Sequence, residues 1–146
     1  MTSIDIEGDL PNGIDEASIR LMAETICSSE APDADFQISL QLVKSEAMRE
    51  FNRLYRGVNH VTDVLSFAGD AMMLEGRIIR LCDIIIDTNQ VFLQKGTNTF
   101  REEFWLVLIH GLLHLTGYDH IRTADRRKME DAEDNYRKQI PGGGIG

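Results

Sequence analysis

Cysteine, histidine, positive charge and long apolar runs are all scarce in this 146-residue chain. Cys27 and Cys82 are its only cysteines and form no CxxC pair. Two reduced, buried thiols are therefore expected rather than a disulfide. No run of about 18 apolar residues is present to span a bilayer. The opening "MTSIDIEGDLPNG" has neither the basic segment nor the apolar core of a secretory leader. A cytoplasmic protein with no membrane partner is the expectation. Fifteen Lys and Arg stand against 24 Asp and Glu, for a net charge of −9. A sequence-independent nucleic-acid binder shows a basic face and a high pI. Any polyanion site here must be a local basic patch on an acidic body. Repeats and low-complexity linkers are also lacking. One domain over 1–140 is expected, with "PGGGIG" (141–146) as a flexible tail.

What is present reads as a mixture of strands and helices. "TSIDIEG" alternates Ile4 and Ile6 as an edge strand does, and apolar residues from Ile14 to Cys27 recur at helical spacing. "SSEAPDAD" reads as a loop. "FQISLQLV" puts Phe36, Ile38, Leu40 and Leu42 on one face of a half-buried strand. Ser45 is placed to cap a helix with Ala47, Met48, Phe51, Leu54 and Tyr55 on one stripe. "DVLSF" and "CDIIID" read as strands, and "GDAMMLEGR" between them as a connection. Thr88 to Lys95 predicts a short helix stopped by Gly96.

The strongest helix signal follows. Thr99 and Glu102 fit a capping box, and the residues from Phe104 to Leu115 are nearly all apolar, so this helix is buried on most sides. Gly117 is its stop. A last helix, Thr123 to Gln139, turns Met129, Ala132 and Tyr136 inward. Without regular βα alternation, the fold class is α+β: a small mixed β-sheet packed with about five helices.

Three of the four histidines lie within eleven residues, in "HGLLHLTGYDH". His110 and His114 share one helix face, with Cβ atoms about 6 Å apart, close enough to reach one metal ion. Past the Gly117 stop, the turn "YD" lets His120 return as a third ligand. A lone histidine on an apolar helix is usually a core residue bonded to a carbonyl; three at this spacing point to a metal site. Three neutral nitrogens on zinc leave a fourth position open, the layout of a catalytic site. The spacing is that of the metzincin motif HExxHxxGxxH, but Gly111 stands where those peptidases carry their general base.

The same stretch resembles the signature of the YbeY family of bacterial rRNA maturation factors, metal-dependent single-strand endoribonucleases. "FNRLYRG", "TDVLSF" and "CDIIID" are similar, in order, to further segments of that family, and the resemblance runs from about Gln37 to Glu133. It implies an α+β domain, Zn2+ held by His110, His114 and His120, and Arg56 as a catalytic arginine near the metal. It also implies processing of the 16S rRNA 3′ end and ribosome quality control. The implied partners are single-stranded ribosomal RNA, a small-subunit ribosomal protein and a ribosome-assembly GTPase. Val61 and Cys82 depart from the family's usual Pro and Gly.

Other residues carry two readings each. Asp83 and Asp119 are candidates to orient imidazole N–H groups, and Asp119 equally suits a turn beside Gly117. Asp63 either starts a strand or lines the channel. Arg53, Arg77 and Arg80 either converge as the basic patch or are ordinary surface charge. His60 reads as a surface residue and Ser66 as a strand residue, not a nucleophile. Two other functions compete: a metal-dependent amide hydrolase, which Gly111 opposes, and a non-catalytic ribosome-assembly factor with a structural metal.

Overall fold

The computed structural model describes residues 1–56, 62–118 and 123–140, with Tyr55, Arg56 and Thr123 described by their backbone alone. Four strands and five helices are formed among these residues: β1 (Thr2–Glu7), α1 (Glu16–Glu30), β2 (Ala34–Val43), α2 (Ser45–Arg56), β3 (Val64–Leu74), β4 (Arg77–Asp87), α3 (Thr88–Gln94), α4 (Phe100–Leu115) and α5 (Thr123–Arg137). The sheet order is β1-β2-β4-β3. The first two pairings are parallel and the last is antiparallel, so the sheet is mixed, as the α+β expectation requires. No helix among the described residues is long and apolar enough to cross a membrane.

Strand parity organises the two faces of this sheet. In β2, Phe36, Ile38, Leu40 and Leu42 are buried, the face that alternation predicts. In β4, Cys82, Ile84 and Ile86 join them in the main core with residues of α1, α4 and α5. The opposite face is covered by α2, where Met48 packs with Leu65 and Ile85. Helix α4 is the centre of the main core. Its fully buried Leu108, Ile109 and Leu112 contribute on the order of 1.5–3 kcal/mol each. Its capping box forms as expected, Thr99 Oγ1 accepting from Glu102 N and Glu102 Oε1 from Thr99 N, but a cap contributes only about 1 kcal/mol. Packing, not capping, fixes where α4 lies.

Several expectations change. Helix α1 continues through Ser28, Ser29 and Glu30 and β2 begins at Ala34, so the loop read from "SSEAPDAD" is confined to Ala31, Pro32 and Asp33. "GDAMMLEGR" is not a connection: β3 and β4 run through it as a long hairpin closed at Glu75 and Gly76, whose φ values are +51° and +81°. Met72, Met73 and Leu74 are exposed there, so the paired backbone rather than a buried face carries the arm and periodicity gave no signal. On α2 the inward stripe is Met48, Phe51 and Asn52, while Ala47 and Leu54 are exposed. Ser45 is the first helical residue, and its hydroxyl accepts from Asn89 Nδ2.

Both cysteines are free and buried. Desolvation pushes the Cys27 thiol up to about 12, which makes it inert. The Cys82 side chain fills core between sheet and helices instead of closing off a backbone approach.

At the far end of the hairpin, Arg77 clips β4 to β2 through Asp35, at 2.8 and 3.1 Å. That guanidinium, then the Met1 ammonium 2.6 Å away, holds the Asp35 carboxyl down at about 2. A depressed carboxyl contributes stability above its unfolded pKa of about 3.9. The contribution is lost as pH falls toward 2. Asp35→Asn is expected to remove that segment of the acid-unfolding curve, followed by circular dichroism, and to leave stability near neutrality only slightly lower because the pair is exposed.

Candidate metal centre

Gly111 sits at the point where α4 meets the sheet. A Cβ there would lie 3.0 Å from Ser66 Oγ, 3.3 Å from Val64 Cγ2 and 3.4 Å from Ile84 Cγ2. Ser66 also donates to the Gly111 carbonyl at 3.1 Å, tying β3 to the middle of the helix. This is the strand residue that the sequence predicts, now with a positioning contact. The same close approach explains the absent metzincin glutamate, since position 111 faces the sheet and has no room for it.

One residue earlier and three later, His110 and His114 emerge from the packed face into a cleft of about 540 Å³. Thr62 to Phe67 form its other wall. The two rings are edge to face, with centroids 4.6 Å apart and planes at 80°. Their Nε2 atoms meet at 3.1 Å. Each ring is held from behind. His114 Nδ1 donates to the Tyr118 carbonyl at 2.9 Å, and His110 Nδ1 lies 3.3 Å from Glu133 Oε2 on α5. A carbonyl and a carboxylate are acceptors, so both Nδ1 atoms carry the proton. In that tautomer each Nε2 is the ligating nitrogen, and a cation lying against both would be held by two lone pairs. Two nitrogens about 2.0 Å from one zinc at a tetrahedral angle stand about 3.3 Å apart, so the donor pair fits.

The Tyr118 carbonyl reaches His114 because the chain reverses at Gly117, whose φ is +109°. Gly117 N bonds to His114 O and Tyr118 N to Leu113 O, both at 3.2 Å, closing the helix end. Behind this turn, Glu30 at the end of α1 accepts from the Tyr118 hydroxyl and from Tyr136 Oη at 2.6 Å. The hydrogen bond to Glu30 keeps the Tyr118 phenol protonated, pushed up to about 12.

Of the remaining predicted site residues, Asp63 lines the cleft. Its Oδ2 accepts from Gln94 Nε2 at 2.9 Å, and the same amide donates to Glu103 at 3.0 Å. Asp63 also opens the sheet, its carbonyl accepting from Asp87 N at 2.9 Å. Asp63 thus stands just before β3 and on the cleft wall at once. Asp83 is corrected. Strand parity puts it on the sheet face opposite α4, exposed beside Asp5, Gln37 and Ser39, where it cannot orient an imidazole. Arg53 pairs with Glu50 and Arg77 with Asp35, and neither is among the described residues that line the cleft. Arg56 closes α2 and its side chain is not described. Asp119, His120, His60 and Val61 lie outside the described residues. Among the described residues, no set of three or more His, Cys, Asp or Glu converges as a metal site.

Sequence reasoning missed Glu133, the Tyr118 carbonyl and Glu30. Glu133 follows the inward-facing Ala132 on a helix whose outer face is acidic, which hides it among solvated charges.

These features define a cleft protein with two paired imidazoles on a buried helix, and comparison with known proteins gives the family. The profile of the Endoribonuclease YbeY family matches residues 7–141. A Desulfitobacterium hafniense protein named Endoribonuclease YbeY is 38% identical over 143 residues, covering 92% of this chain and 85% of its own. One of the same name from Petrotoga mobilis is 35% identical over 130 residues, covering 87% of each chain. The solution structure of a Thermotoga maritima protein superimposes with a TM-score of 0.63 at 26% identity, covering 97% of this chain and 90% of that one. The chain therefore belongs to the YbeY endoribonuclease family, as the resemblance implied.

Placing the metzincin carboxylate here does not create a base. Gly111→Glu is expected to lose at least about 3 kcal/mol in urea unfolding of the metal-free chain, by overpacking and by burying a charge. Unchanged stability would mean that α4 stands further from the sheet than described.

Proposed function

We propose that this chain is a zinc-dependent, single-strand-specific endoribonuclease acting in 16S rRNA 3′-end maturation and ribosome quality control. The observation carrying this reading is the meeting of two Nδ1-protonated imidazoles, Nε2 to Nε2 at 3.1 Å, on an open cleft. Family membership supplies the reaction class, since the relatives bear the name Endoribonuclease YbeY.

In this reading His110, His114 and His120 hold one zinc ion. When bound, zinc supplies Lewis acidity and brings the pKa of a water toward neutrality. The chain's own residues do the rest. The carbonyl of Tyr118 and the carboxylate of Glu133 keep both imidazoles in the ligating tautomer. Asp63, oriented by Gln94, presents negative charge to the cleft and so steers a phosphodiester toward the cationic side of the site. The family resemblance assigns that side to Arg56, whose planar guanidinium suits two phosphate oxygens and offsets charge building on them.

A chain of net charge −9 binds RNA through few cations, so its affinity for RNA alone is weak and salt-sensitive. Docking on a small-subunit ribosomal protein, with a ribosome-assembly GTPase nearby, supplies the remaining affinity in this proposal.

Two variants test separate parts of it. His114→Ala is expected to lose bound zinc by metal analysis and to stop cleaving a single-stranded rRNA fragment. Equal cutting by wild type and variant would overturn the assignment. Arg56→Glu is expected to abolish cleavage while metal content stays at the wild-type level. Loss of zinc in that variant would place Arg56 in a structural role.

A further inference from the structure

We propose that Glu30, at the end of α1, is a positioning residue that fixes the tautomers of both cleft histidines by anchoring Tyr118 and Tyr136. Its two carboxylate oxygens serve two branches. One oxygen accepts from the Tyr118 hydroxyl, and the Tyr118 carbonyl accepts from His114 Nδ1 at 2.9 Å. The other accepts from Tyr136 Oη at 2.6 Å, one turn of α5 after Glu133, which partners His110 Nδ1. Tyr136 is only 3% exposed, so water cannot replace this acceptor. Without Glu30 the buried hydroxyl would lose its carboxylate acceptor and keep only the Ser29 hydroxyl beside it, a loss that α5 relieves by shifting. Glu133 is carried by the same turn and shifts with it.

The outer partners of both imidazoles thus depend on one carboxylate that touches neither ring. The arrangement matters for metal binding because outer hydrogen bonds fix ring orientation and tautomer. In that respect the inference rests on the metal reading above. A purely structural tie between α1, the Gly117 turn and α5 is the competing explanation. It predicts a loss of stability with no preference for either ring.

The experiment uses the full metal-free chain, with nitrogen-15 spectra of the neutral imidazoles as the first readout and zinc affinity by chelator competition as the second. Wild type is expected to show His110 and His114 as single Nδ1–H tautomers. Tyr118→Phe is expected to give a tautomer mixture at His114 alone, and Tyr136→Phe a mixture at His110 alone. Glu30→Gln, which keeps one acceptor oxygen, is expected to weaken zinc binding 10- to 100-fold. Ile4→Val, a core change in β1 remote from the site, serves as the control for lost stability. Wild-type tautomers in all three site variants would overturn the proposal, as would equal loss of zinc affinity in Ile4→Val at matched stability. If wild type binds no zinc, the metal reading fails on its own, and the tautomer ratios still decide the role of Glu30.

Discussion

Two imidazole nitrogens turned toward each other 3.1 Å apart form the constraint around which this molecule is arranged. Left alone, two lone pairs at that separation repel. Each ring is gripped from its far side, by a backbone carbonyl in one case and a carboxylate in the other, and these grips hold the pair together. Those grips depend on the Gly117 reversal and on the seating of α5, and both meet again at Glu30. Preorganisation of this kind lets a cation bind without the protein reordering its side chains.

Rigidity of the support comes from α4. A helix apolar on nearly every side has no preferred face to offer solvent, so it sinks into the core. Only its histidines open onto the cleft. Gly111 brings the helix backbone against β3 and β4, and this close approach sets the depth at which His110 and His114 stand. The position that would carry a peptidase base in a metzincin is thereby used for packing. Fold and reaction class are coupled through one missing side chain.

Much of this was legible in the letters. The alternation of Phe36, Ile38, Leu40 and Leu42 gave β2 and its buried face, and Thr99 with Glu102 gave the start of α4, because both signals are local. The pairing of His110 with His114 followed from helical spacing alone. Long-range partners were not legible. Glu133 lies among solvated acidic residues of α5, and nothing local distinguishes it; Glu30 lies in what reads as a loop. The tip of the β3–β4 hairpin was missed because an exposed ladder is held by backbone hydrogen bonds, which leave no hydrophobic period. Asp83 was assigned to the wrong side because a candidate list ignores parity, and a one-residue step along a strand changes the face.

The central claim is that His110, His114 and His120 hold one ion and leave a position open. X-ray absorption at the zinc edge of the metal-loaded chain tests it most directly. The account predicts three imidazole nitrogens at about 2.0 Å and one exchangeable oxygen. Four protein ligands, or an ion bound without the imidazoles, would contradict it.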